Sequence, residues 1–197
     1  MGKVTAGFSM SLDGFVADPN DGVAEVFKWY LSGTTDAEVQ SGDTTFEMTS
    51  EGADFIEEAG SGAGVLVSAR RTFDIANAWG GKHPMGVPVV VVTHMLPREW
   101  VDREGSPFTF VTDGVESAIE TAQEIAGDKA VVIGAPSVTQ QCLRLGLLDE
   151  IHIDLVPVVL GDGIRLFDHL GIEPIELEIK EASGTPHITH LTYRVVK

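Results

Sequence analysis

The chain alternates short β-branched apolar runs with amphipathic stretches, the pattern of an α/β protein built on a buried, mostly parallel sheet. Lys3–Phe8, Val65–Val67, Val87–Val92, Phe108–Val111 and Ala130–Ile133 each read as a strand. Val23–Leu31, Ser50–Ala59 and Gly114–Ala126 read as helices between them, with Ser50 as an N-cap. In the last of these, Val115, Ala118, Ile119, Ala122 and Ile125 recur at helical spacing and form an inward face. Ser68–Trp79 predicts another short helix after its strand. Near the end of the chain the period becomes two. Ile151, Ile153 and Leu155 alternate with His152 and Asp154, and 175–179 and 187–196 alternate likewise, which predicts an antiparallel hairpin.

The junction after Ala130–Ile133 carries the first chemistry. Gly134 and Ala135 turn the chain, Pro136 and Ser137 open a helix with Ser137 as its cap, and Val138, Cys142 and Leu145 follow on one face. The unpaired N–H groups and positive dipole end of that helix favour an anion such as phosphate at the turn. An ordinary strand-to-helix connection would use the same residues. Two further strand ends share this character. Val65–Val67 runs into Ala69, Arg70, Arg71 and Thr72, and Val87–Val92 ends in Thr93 and His94. The arginine fork suits phosphate, although either arginine could instead pair with a surface carboxylate. Ligands of open α/β sheets sit outside the carboxyl ends of the strands.

Composition narrows the partners. The 197 residues suit one domain with a full core, and a net charge of −17 opposes nucleic acid or an anionic membrane surface as partner. The single cysteine, Cys142, excludes an internal disulfide and a zinc cluster, and its apolar helix face makes it a buried structural thiol. The six histidines are scattered, so no metal site is expected; His152, His187 and His190 read as satisfied surface or interface residues. The start of the chain lacks a signal-peptide core and no apolar run spans a membrane, so the expectation is a cytoplasmic protein. Asp18–Gly22 has the wrong spacing for a calcium loop. Residues 60–64 are glycine-rich but precede a strand, unlike a dinucleotide motif. Trp29 and Tyr30 suit a core or a ligand platform, and 32–43 reads as a polar loop or insertion.

The order of Met10–Gly14, Ala69–Phe73, Val92–His94, Val132–Val138 and Leu148–Pro157 resembles the dihydrofolate reductase superfamily. The branch it resembles includes the C-terminal reductase domain of bacterial riboflavin biosynthesis, the 5-amino-6-(5-phosphoribosylamino)uracil reductase type. The likeness covers nearly the whole chain, with residues from about 32 to 62 as an insertion within one domain, 1–197. It implies a three-layer α/β sandwich with a mixed, mostly parallel sheet of about eight strands, and NADPH across the strand ends. It places Arg70 and Thr72, with Ala69 and Arg71 beside them, at the cofactor phosphates, and Thr93 and His94 at the 2′-phosphate. Ile133, Gly134, Ala135, Pro136, Ser137 and Val138 fall beneath the pyrophosphate. Ser9, Leu12 and Asp13 flank the nicotinamide. Ala69 and Ala135 stand where the family carries glycines. Glu25 is the nearest counterpart of the folate-protonating carboxylate, so Glu25 and Asp13 are the candidate proton donors, with Trp29, Tyr30 and Trp79 around a small heterocyclic substrate, pterin- or pyrimidine-like. A homodimer is expected by analogy. A nucleotide-binding or ligand-sensing protein without turnover, or an interaction domain using the alternating C-terminal strands, are the rival readings.

Overall fold

Stiff β-branched side chains on both faces commit the valine-rich runs to central strands, because such residues pack well on a pleated surface and lose freedom in helices. A computed structural model describes residues 2–31, 37–41, 44–101, 103–185 and 187–197. In order, the elements are β1 (Val4–Ser11), β2 (Phe15–Ala17), α1 (Lys28–Leu31), β3 (Ala37–Ser41), β4 (Thr44–Met48), α2 (Ser50–Gly62), β5 (Ala63–Ala69) and α3 (Arg70–Ile75). A 3₁₀ turn over Asn77–Gly81 leads to β6 (Val89–Val92), α4 (Arg98–Val101), β7 (Phe108–Val111), α5 (Val115–Ala126), β8 (Ala130–Ile133) and α6 (Pro136–Arg144). The chain closes with β9 (Glu150–Val156), β10 (Ile164–Arg165), β11 (Leu177–Thr185) and β12 (Ile188–Val195).

Eight strands form one mixed sheet in the order β11-β12-β9-β1-β8-β5-β6-β7. The six from β9 to β7 run parallel, and β12 and β11 add antiparallel pairings at one side. Among the described residues no helix is long and apolar enough to cross a membrane. The two faces of the sheet differ. Val4, Ala6, Val65, Val67, Val131, Ile133, Ile151 and Ile153 point to one side and are sealed by α5 and α6 through Ala118, Ile119, Val138 and Cys142. On the other side, among the described residues, apolar cover lies at two places. Phe73 of α3 packs on Leu66, Val89 and Val91 toward one edge, and Trp29 packs on Val156 and Ile188 toward the other. Between them the sheet face is polar and lies open as a groove.

Several sequence expectations change. The cap of α2 is Thr49, whose hydroxyl accepts from the Gly52 N–H at 3.0 Å, in place of Ser50. The residue preceding α6 is Ala135, with no side-chain cap, and Ser137 is exposed inside the first turn. Ile125 and Leu145 are exposed at 39% and 45%; Ala126 and Leu143 take the inward places. The helix read over 23–31 is only the single turn of α1. The helix read through Trp79 breaks at Asn77, Ala78 and Trp79, which hold φ near +50° (47°, 50° and 49°). Such left-handed backbone is costly for residues with a Cβ and persists where packing enforces it. Here the Trp79 ring closes edge-on against Phe73 and against His83. Part of the expected insertion, 32–36 and 42–43, lies outside the described residues; its remainder supplies a β3–β4 hairpin and α2.

Candidate functional site

The groove runs along the carboxyl ends of β1, β5 and β8 and across the polar face of β9 and β12. At its first end stands α6. Helix geometry leaves its first N–H groups, those of Ser137 and Val138, without partners in the helix, and they open beside Gly134. The Gly134 N–H is spent on Val67 at 3.0 Å, which fixes the turn. A Cβ on Gly134 would come within 3.2 Å of Leu66 Cδ1, so glycine keeps this corner open. Ala69 (φ −94°) and Ala135 (φ −139°) are extended, so neither position requires glycine's freedom. The Ala135 methyl is fully buried in the core beneath α6, away from the groove. Pro136 lines the groove and Ile133 lies under it.

Arg70 and Thr93 meet at the ends of β5 and β6. Arg70 Nη1 donates to the Met95 carbonyl at 3.0 Å, and the buried Thr93 hydroxyl donates to the same oxygen at 2.8 Å. Arg70 Nε also pairs with Asp74 at 2.7 Å. His94 is exposed next to this joint, and Thr72 lines the groove. Arg71 turns the other way and grips Asp21 with two hydrogen bonds of 3.0 and 2.7 Å, tying α3 to the loop after β2. Both arginines are thus engaged with carboxylates, the second of the two options their sequence left open.

The proposed donors fare differently. Asp13 accepts from the Ser11 hydroxyl at 2.7 Å and from the Leu160 and Gly161 N–H groups at 3.1 and 2.7 Å. The Ser11 hydroxyl, helped by those backbone donors, holds its carboxyl down at about 2, the condition of a loop clamp and not of a proton donor near neutrality. Glu25 is exposed, lies 3.6 Å from Lys28 and does not line the groove. Leu12 is 67% exposed beside the clamp. The helix that does overhang the groove is α2, with Asp54, Phe55 and Glu58 among the lining residues, and it leads directly into β5. Sequence reading placed these residues in an insertion; the missed signal was the uninterrupted passage from helix into strand at 62–63.

Trp29 is 9% exposed, and its Nε1 donates to the Ser9 hydroxyl at 3.1 Å, while its ring meets Phe55 edge-on at 5.1 Å. The Tyr30 side chain lies outside the described residues. Trp79 belongs to the aromatic cluster around Phe73 at the other side of the groove. Burial holds His83 near 4, so it stays neutral against Trp79, and burial pushes Cys142 up to about 12, leaving an inert thiol.

A row missed at the sequence level crosses the groove floor. Ser9, Asp154 and His190 stand opposite one another on β1, β9 and β12, with Gly7, His152 and Thr192 in the next row. His190 Nδ1 lies 2.7 Å from Asp154 Oδ1 and His152 Nδ1 lies 3.2 Å from Thr192 Oγ1. Burial raises the Asp154 carboxyl above its usual range, with His190 drawing it back, and burial lowers His152. One row further, burial works to raise Glu150, but Lys180 at 2.8 Å and Lys3 at 2.5 Å bring it below the usual value.

The strand order, the helix layers and the groove at the strand ends define a dihydrofolate reductase-like fold. The chain belongs to the RibD C-terminal domain family, whose model matches residues 2–189. A protein assigned to riboflavin biosynthesis, from Shewanella sp. PV-4, superposes over 100% of both chains with a TM-score of 0.72 at 19% identity. A diaminohydroxyphosphoribosylaminopyrimidine deaminase/5-amino-6-(5-phosphoribosylamino)uracil reductase from Thermotoga maritima gives a TM-score of 0.64 at 14% identity, over 99% of this chain and 57% of that one. Dihydrofolate reductase from Enterococcus faecalis, solved with NADP(H), gives 0.62 at 13% identity, over 100% of this chain and 98% of that chain. A comparison with curated protein sequences returned no match.

Proposed function

We propose that this chain is an NADPH-dependent reductase acting on a small pterin- or pyrimidine-like substrate. The observation that carries this is the open N-terminus of α6, which meets the groove at Gly134, Pro136 and Ser137, with Ala69 and Thr72 of the neighbouring strand end lining the same groove. The site fits a dinucleotide. Ser137 and Val138 would hold the pyrophosphate, Gly134 would leave room for it, and the Arg70, Thr93 and His94 corner would take the 2′-phosphate. When bound, the reduced nicotinamide supplies the hydride. Ser9, held by Trp29, borders the place where the hydride acceptor would lie, and the polar floor orients that acceptor. Family membership and the reductases among its structural neighbours support this reading.

A second reading, nucleotide binding without turnover, draws on the carboxylate pairing of Arg70 and Arg71. Loss of NADPH absorbance in the presence of dihydropterin and aminopyrimidine imine acceptors separates the two. We expect acceptor-dependent oxidation of NADPH. Tight NADPH binding without oxidation by any such acceptor would favour the second reading.

A further inference from the structure

The groove divides by charge. All 13 lysines and arginines of the chain fall among the described residues, so each cation has a place. Those that line the groove are Lys3, Arg71, Arg144 and Arg165. The three arginines stand around α6, β2 and the start of α3. Arg144 belongs to α6 and donates to the carbonyls of His169 and Leu170 at 3.1 and 2.8 Å. Arg165 sits beside Gln140 of α6, with its guanidinium over the Phe15 ring at 4.3 Å. Arg71 grips Asp21 in the loop after β2.

The other half is walled by α2 and floored by β9 and β12, and its balance is reversed. Asp54 and Glu58 lie one turn apart on α2 and line the groove, and neither pairs with a cation among the described residues. Phe55, next to Asp54, meets Trp29 at 5.1 Å, and Trp29 meets His190 at 5.9 Å, so this face of α2 stands at the floor row of Asp154 and His190. Glu181 lines the same half. The lysines nearest the floor are committed. Lys3 and Lys180 both serve Glu150, whose side chain is only 7% exposed, at 2.5 and 2.8 Å. Drawing them away would leave that carboxylate buried and unpaired, which is strongly destabilising.

The histidines here do not change the balance. The Met85 N–H donates to His83 Nδ1 at 3.2 Å, so the proton of the neutral ring sits on Nε2, and burial holds the group near 4. Burial lowers His152 as well, and His190 is matched by Asp154 at 2.7 Å. What this half offers a ligand is uncharged: the hydroxyls of Ser9, Ser183 and Thr192, the His83 Nε2–H and the rings of Trp29 and Trp79. Phosphate asks for the opposite. It carries about −1.5 to −2 charge at neutral pH and is held by available cations or free backbone N–H groups. Like charges within about 8 Å, the screening length at physiological salt, still repel.

We propose that the substrate is an unphosphorylated heterocycle: Asp54 and Glu58, with no uncommitted cation across the floor, admit an uncharged substituent and turn away a phosphate ester. This rests on the reductase reading for the identity of the ligand as substrate, but the selectivity itself is tested without turnover. The groove then sorts its two ligands by charge, the dinucleotide to the α6 side and the neutral ring to the α2 side.

The test is calorimetric titration of the protein, saturated with NADP⁺ so that α6 is occupied and no hydride can move, with two ligand pairs. One is neopterin and its 3′-monophosphate; the other is 5-amino-6-ribitylaminouracil and its 5′-phosphate. The unphosphorylated member of at least one pair is expected to bind saturably and at least about tenfold more tightly than its phosphate ester. At about 1 M salt, where the screening length falls to about 3 Å, the difference is expected to shrink. The double variant Asp54→Lys, Glu58→Lys is expected to abolish the preference. The comparison on the unaltered protein, with its salt dependence, stands even if that variant does not fold. Equal or tighter binding of the phosphate esters, a preference indifferent to salt, an unchanged preference in the folded variant, or no saturable binding of either unphosphorylated ligand would overturn the assignment. The NADP⁺ titration that precedes the test separates the two ideas. Selectivity against phosphate without NADP⁺ binding removes the reductase reading and leaves the charge selectivity, whereas NADP⁺ binding with preference for the phosphate esters removes only the selectivity.

Discussion

Ser137→Glu is expected to weaken NADPH binding about a hundredfold while leaving the fold intact or slightly more stable. Ser137 is exposed in the first turn of α6, and its hydroxyl makes no capping bond there. A carboxylate in a first turn interacts favourably with the helix dipole, by about 0.3–1 kcal/mol. The same carboxylate would face a pyrophosphate held at the free N–H groups of that turn, and a separation of about 5 Å sets the scale of the repulsion. At an effective dielectric of about 20, two unit charges at that distance repel by roughly 3 kcal/mol, which is about a hundredfold in affinity. Stability and affinity thus move in opposite directions, a pattern that simple misfolding would not produce. Thermal unfolding and NADPH titration on one preparation measure both, and an unchanged dissociation constant would remove the pyrophosphate from α6.

The second large effect concerns the element that holds Arg70. Phe73→Ala is expected to destabilise the protein by about 3–5 kcal/mol, the usual cost of removing a large buried ring. Phe73 is 2% exposed, and its ring meets Trp79, Trp100, Phe108 and Phe110 edge-on at 5.0 to 6.1 Å. It anchors α3 on Leu66, Val89 and Val91, so its loss removes the support of both the Arg70 corner and the strained turn at 77–79. Urea unfolding should show a lower midpoint with an unchanged slope. A loss below about 1 kcal/mol would mean that α3 packs without this ring.

The parts of the fold legible in the sequence were those where local signals agree. Phe108–Val111 and Ala130–Ile133 match their strands to the residue, and Pro136 marks the start of α6. Each is a short apolar run ending at punctuation that only a turn or helix start tolerates. The places of Arg70, Thr93 and the start of α6 at strand ends were legible for the same reason, since each lies just after its strand. The floor was not. Period-two alternation puts His152 and Asp154 on one face of β9, but their partners come from β12, and register between strands distant in sequence leaves no local mark. His190 therefore read as a satisfied surface or interface residue. The helix break was legible only at Gly80 and Gly81; that it begins already at Asn77, Ala78 and Trp79 was not, because its cause is tertiary, the seating of Trp79 on Phe73. The α2 segment read correctly as a helix but was set apart as an insertion by the family resemblance, and nothing in its own pattern shows that Phe55 places it against Trp29 at the groove.

The most direct measurement is a tryptophan-fluorescence titration of the protein with NADPH and, separately, with NADH. A reductase whose groove carries the dinucleotide across α6 and the Arg70–Thr93 corner binds NADPH saturably and NADH more weakly by at least about tenfold, the 2′-phosphate supplying the difference. Absence of saturable binding by either cofactor would contradict it.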